Sequence, residues 1–151
     1  MDGQQIVVPL DGSLVAEEAL RYVTRLFAPV QVRIALVHVL PVGTEGDQNH
    51  QVEQNARAYL DMAAWQLEDG GYEVKTFVLY GSPPEVIVQF ARAIEARLIV
   101  MTSHGQGQSV TIPAGTTAAS VLATAECPVL IVPVRDQIKA APVQQEHRVA
   151  A

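Results

Sequence analysis

Short apolar runs rich in β-branched residues alternate with stretches of helical period along most of this chain, and that alternation limits its fold more than any other feature. The first run is IVVPL at residues 6–10. Others are VRIALVHVL at 32–40, LIVM at 98–101 and VLIV at 129–132, with a more polar one at 72–79. Between the first two, Ala16, Ala19, Leu20, Val23 and Phe27 recur at the spacing of one helix face. Ser13 is placed to cap that helix, and Glu17 and Glu18 lie near its first turn, where the helix dipole favours negative charge. After a polar loop over 41–50, a second helix carries Val52, Ala56, Tyr59, Leu60, Ala63 and Leu67 on one side and ends at Asp69-Gly70-Gly71. A third opens at Gly81-Ser82-Pro83-Pro84 and shows Ile87, Phe90, Ala91 and Ile94. A fourth shows Ala118, Val121, Leu122 and Ala125 before Cys127-Pro128 breaks the chain. Strands and helices alternating at this spacing predict an α/β fold, a parallel sheet covered by helices on both faces. The run at 72–79 contains Glu73 and Lys75 and belongs near a sheet edge.

A chain of 151 residues buries about two-thirds of its unfolded surface, enough for one core and too little for two. Residues 1–134 therefore read as a single domain. The polar stretch 135–151, with Pro142 and no sustained period, reads as a tail that frays or packs on a partner. The net charge is −6 and only Lys75 and Lys139 are lysines, so no basic stripe exists to neutralise nucleic-acid phosphates. An anionic membrane surface is disfavoured for the same reason. Cys127 is the only cysteine and has no internal disulfide partner, which suits a reducing compartment. The start MDGQQIVVPL lacks the pattern of a signal peptide, and no apolar run reaches the roughly 20 residues that span a bilayer. A cytoplasmic location is expected.

In open α/β sheets ligands lie beyond the carboxyl ends of the strands, where the strand order reverses. The segments delivered there are Asp11-Gly12-Ser13, His38-Val39-Leu40, Gly81-Ser82 and the stretch 102–115. The last holds Ser103, His104, Gly105, Gly107, Ser109 and Thr111 and runs into Gly115-Thr116-Thr117 at a helix start. Glycines let backbone amides approach an anion, and the helix N-terminus adds a favourable dipole. Two familiar phosphate-binding patterns fail. No G-x4-G-K-[ST] exists, and Gly105-Gln106-Gly107 continues to Val110 where a dinucleotide fingerprint requires glycine. Asp11 and Ser13 also suit a plain turn and cap, and the glycine-rich stretch also suits a plain loop. His38 reads as a core histidine or one that supports a site residue from behind, and the four histidines show no metal-ligand spacing. Neither a hydrolase triad nor paired carboxylates stand out, so an efficient enzyme is not expected.

With these residues in view, the chain resembles the universal stress protein family. Pro9-Leu10-Asp11-Gly12-Ser13 matches the family's P-x-D-x-S turn, and His38-Val39 the end of its second strand. Gly81-Ser82-Pro83 matches a Gly-x-Pro segment, and Met101-Thr102-Ser103-His104-Gly105 the M-[GAST]-[ST]-H-G turn. Cys127-Pro128-Val129 with Leu130-Ile131-Val132-Pro133 matches its terminus, and the likeness runs in register over residues 4–134. The resemblance implies an open, twisted, Rossmann-like sheet of five parallel strands in the order 3-2-1-4-5. It also implies a homodimer formed through the last strand, Val129–Val132.

Members that bind ATP carry G-x2-G-x9-G-[ST]; Gly105 and Gly115-Thr116 fit its second half, and Thr102 replaces its first glycine. A left-handed backbone at residue 102 would make the threonine Cβ costly. Carried over position by position, the resemblance sets adenine against Pro9, Leu10 and the backbone of Val39. Asp11, with Ser13 beside it, faces the adenine–ribose end, and Met101 and Thr102 run along the sugar. By the same resemblance Gly105, Gly115, Thr116 and Thr117 would hold the phosphates, and His104, by its place in the glycine-rich stretch, is a further phosphate candidate. No lysine or arginine occurs from Leu98 to Val134, so a triphosphate would depend on amides, hydroxyls and a divalent ion such as magnesium. The implied function is a stress-response sensor or regulator that binds ATP or another adenine nucleotide and hydrolyses it slowly at most. The alternative is a nucleotide-free dimeric interaction module of the same family.

Overall fold

Residues 3–43, 47–103 and 116–134 are described by the structure, a computed structural model; at 47–49 and 116 the backbone alone is described. His104, Gly105, Gly115 and the expected tail over 135–151 lie outside these residues. The apolar runs form strands β1 (Gln4–Pro9), β2 (Val32–Leu40), β3 (Glu73–Tyr80), β4 (Leu98–Thr102) and β5 (Val129–Val132). Helices α1 (Glu18–Leu26), α2 (Asp47–Asp69), α3 (Pro83–Ala93) and α4 (Thr116–Thr124) connect them. All pairs are parallel, in the order β3-β2-β1-β4-β5.

Strand alternation sends successive side chains to opposite sheet faces, so two cores form. Ile6 and Val8 of β1 with Ile34 and Leu36 of β2 pack under Leu20 and Val23 of α1 and Leu60, Ala63 and Leu67 of α2. On the other face Val7, Ala35, Val37 and Ile99 pack under Ile87 and Ala91 of α3 and Ala118 and Val121 of α4. Each fully buried aliphatic side chain contributes roughly 1.5–3 kcal/mol. β3 is an edge strand, as Glu73 and Lys75 predict, and β5 is the other edge.

Four local expectations are corrected. α1 begins at Glu18, and residues 13–17 make tighter turns instead, with Glu18 N–H donating to the Val15 carbonyl at 3.1 Å. α2 begins at Asp47, inside the expected loop over 41–50, and Val52 in its second turn is exposed. Ala64 replaces Val52 in the buried stripe. Leu122 of α4 is 59% exposed, because Ala118 and Val121 point into the core one step round the helix. The end of α2 matches its reading: Gly71 takes φ +91° and Tyr72 N–H closes on the Leu67 carbonyl at 3.1 Å.

Candidate functional site

β1 sits between β2 and β4, and connections from it and to β4 run over opposite faces, so the strand order reverses there. Beyond the carboxyl ends of these strands lies a cleft of about 200 Å³. Its walls are largely apolar: Pro9, Leu10, Val37, Val39, Met101 and Ile87 line it. Asp11, Thr102, Ser103 and Thr117 bring the polar atoms. Thr102 and Ser103 are the buried polar side chains among the described residues.

The rim between β1 and α1 is built by a short turn. Asp11 Oδ1 accepts hydrogen bonds from the Ser13 N–H at 2.9 Å and from the Ser13 hydroxyl at 2.5 Å. Ser13 Oγ in turn accepts the Ala16 N–H at 3.1 Å. This is cap chemistry applied to the turn ahead of α1. Gly12 takes φ +89°, and a Cβ there would lie 3.5 Å from His38 Cε1. The 11–13 turn thus has the cleft on one side and the α1/α2 face of the sheet on the other.

On that second side Tyr59 Oη donates to the Ser13 carbonyl at 3.1 Å. The Tyr59 and His38 rings meet edge to face with centroids 6.1 Å apart. Burial pushes the His38 pKa down, against the opposing pull of the Asp11 carboxylate. The Tyr59 phenol is pushed well up by burial and by the carboxylates of Glu17 and Asp11. Burial also raises the Glu17 carboxyl.

Pro9, Leu10, Asp11, Val39, Met101, Thr102 and Thr117 all reach the one cleft. Ser13 does not line it and acts on Asp11 instead. Thr116 opens α4, whereas His104, Gly105 and Gly115 fall outside the described residues. Thr102 ends β4 opposite Val132, and Glu95 is the non-glycine residue with positive φ among the described residues. The threonine therefore occupies extended backbone that a β-branched residue favours, without the cost a left-handed site would impose. Ser103 continues β4 toward β5: its N–H donates to the Val132 carbonyl at 2.9 Å and its Oγ accepts the Val134 N–H at 3.2 Å. Sequence reasoning missed Pro83, Ile87, Ala16, Val37 and Ala118 as lining residues. The Gly81-Ser82-Pro83 turn was the available signal for Pro83, and the rest looked like ordinary core.

No cluster of three or more metal-binding side chains occurs among the described residues. No helix among them is long and apolar enough to cross a membrane.

A parallel sheet in this order with helices on both faces and a cleft at the reversal defines an open, Rossmann-like α/β protein. Within that class the chain belongs to the universal stress protein family, whose model matches residues 3–133. Universal stress protein MJ0531 of Methanocaldococcus jannaschii is 29% identical over 138 residues, covering 85% of this chain and 81% of that protein. The structure of MJ0577, from the same organism, aligns with a TM-score of 0.80 and 27% identity over 90% of this chain and 99% of that one. The universal stress protein from Archaeoglobus fulgidus in complex with dAMP aligns with a TM-score of 0.68. It is 28% identical over 87% of this chain and 98% of that one.

Proposed function

We propose that this protein binds an adenine nucleotide in the cleft at the carboxyl ends of β1, β2 and β4, and acts in the cytoplasm as a sensor or regulator of a stress response. The observation that carries this reading is the convergence of Pro9, Asp11, Val39, Met101, Thr102 and Thr117, from four separate segments, on one small, largely apolar cleft whose lining includes three hydroxyl side chains, Thr102, Ser103 and Thr117. An apolar slot with few polar groups suits a flat purine attached to a sugar. The Archaeoglobus fulgidus relative, solved in complex with dAMP, supports the same ligand class.

Asp11 is the only charged residue lining the described cleft. The nucleoside would be held by Pro9, Leu10, Val39 and Met101, with Asp11 toward the ribose. Phosphates would meet Thr117 at the start of α4, where the helix dipole favours an anion, together with Thr116, Gly105, Gly115 and His104. With no basic side chain among the described lining residues, a magnesium ion carried by the phosphates would offset their charge. The protein would pair with a second copy through the β5 edge, which otherwise presents unpaired backbone groups. Residues 1–134 would form the nucleotide-binding domain, with 135–151 as an appended tail.

Two measurements test the reading. Nucleotide released from the purified, denatured protein is identified by mass spectrometry, and the same preparation is titrated with ATP and magnesium by calorimetry. Adenine nucleotide near one per chain is the expected result. Gly115→Arg and Val39→Trp should each abolish binding while leaving the far-UV circular dichroism unchanged. An empty protein that also fails to titrate would favour the nucleotide-free dimeric module, for which the missing cations speak.

A further inference from the structure

Nδ1 of His38 is buried and has no hydrogen-bond partner among the described residues. The side chain lies on the α1/α2 face of the sheet, because its neighbours Val37 and Val39 point into the cleft on the other face. Between His38 and the cleft runs the 11–13 turn. Its Gly12 faces the imidazole, where an added Cβ would come to 3.5 Å of His38 Cε1, and its Asp11 lines the cleft. From α2, Tyr59 packs against His38 and holds the same turn through the Ser13 carbonyl.

We infer that His38 and Tyr59 are positioning residues for the ligand cleft, bracing the 11–13 turn from the opposite sheet face, so that protonation of His38 displaces Asp11 and weakens binding. This rests on the nucleotide reading above. A neutral imidazole tolerates an unpartnered Nδ1; an imidazolium carries N–H on both nitrogens and leaves a buried donor without an acceptor.

The groups that face the pair are few. Asp11 comes from the turn, Tyr59 from α2, and Glu17, at the foot of α1, faces Tyr59. β3 places Val78 in register beside His38 and offers no charge. Asp11 is therefore the anion that an imidazolium attracts. Drawing that carboxylate toward His38 takes it from the cleft and disturbs its bonds to Ser13. Gly12 takes φ +89°, a left-handed backbone that glycine adopts without strain, and this conformation shapes the turn beside the ring.

The link can be read without ligand and with it. In the ligand-free protein, NMR titration from about pH 7.5 to about pH 5 should show the Gly12 and Ser13 amides moving with the His38 imidazole, a range that reaches below the ordinary histidine value because burial lowers the His38 pKa. Amides that ignore the imidazole overturn the inference, whether or not the protein binds ATP.

With ligand, calorimetry with ATP and magnesium compares the wild type with His38→Gln and Tyr59→Phe. The ligand's own protonation is common to all three and cancels in the ratios. The wild type should lose about fivefold in affinity relative to His38→Gln on acidification, the lower end of typical coupling between linked sites. Tyr59→Phe should bind more weakly at both ends of the range. Parallel pH profiles for wild type and His38→Gln overturn the inference while leaving the nucleotide reading intact. Absence of ATP binding in the wild type at every pH overturns the nucleotide reading and this use of the brace, and the amide titration then decides whether His38 controls the turn at all.

Discussion

Tyr72 Oη donates to the carbonyl of Phe27 at 2.7 Å, fastening the residue just before β3 to the one just after α1 across 45 positions of sequence. The same hydroxyl lies 3.4 Å from the carbonyl of Thr24, in the last turn of α1. Tyr72 is buried in the core beneath α1 and α2, so water has little access to replace it.

Tyr72→Phe keeps the ring and removes the donor. Stability should fall by about 1 kcal/mol, the usual worth of such a bond. The loss should appear as a lower urea midpoint with an unchanged slope. An unmoved midpoint would mean that water satisfies both carbonyls when the hydroxyl is absent.

Glu95 adopts φ 54° at the end of α3, where Ala96 N–H closes on the Ala91 carbonyl at 2.8 Å. A left-handed backbone costs an L-residue about 1–2 kcal/mol, and glycine avoids that at an entropic cost of roughly 0.5–1 kcal/mol. Glu95→Gly should therefore raise the melting temperature by up to about 4 °C. A lower melting temperature would show that the glutamate side chain itself supports the helix end.

His38 predicts how stability responds to acid. Burial lowers its folded pKa below the ordinary 6.5, so between those two values the unfolded chain binds more protons than the folded one. The contribution from the neutral, buried ring is fully present above pH 6.5 and is lost as the pH falls from there through the folded pKa. Urea unfolding at several pH values should show this loss in the wild type and a smaller one in His38→Gln. Equal acid sensitivity in the two proteins would place the effect elsewhere.

Ser13→Ala removes a hydroxyl that bonds both Asp11 and the Ala16 N–H. The expected cost is about 1 kcal/mol, that of a lost cap. Because Ser13 does not line the cleft, any change in ATP affinity should come through Asp11. Once Asp11→Asn is in place, adding Ser13→Ala should therefore change affinity much less than it does in the wild type. Affinity losses that simply add would separate the two residues' roles.

Some of this molecule is legible in its residues taken alone. β2 and β5 have the bounds that their apolar runs predict: Val129–Val132 is apolar throughout, and Val32–Leu40 is interrupted only by Arg33 and His38. The start of α2 was not legible: residues 47–50 carry no apolar period, and the helix there is continued by the turns behind it. Val52 and Leu122 match helical spacing yet stay exposed, because spacing alone does not say which residues of a stripe the sheet covers.

The cleft divides in the same way. Asp11, Met101 and Thr102 close or soon follow apolar runs, and any parallel sheet delivers the carboxyl ends of its strands to one end. Pro83 and Ile87 enter only because α3 crosses the sheet on that face, which depends on the packing angle of the whole helix. His38 and Tyr59 show the limit most clearly. Alternation along β2 set His38 opposite Val37 and Val39 in facing, a property of the sequence. That Tyr59 should meet it, and that both should press on the turn carrying Asp11, was decided by how α2 lies over β2, a relationship local residue patterns do not encode.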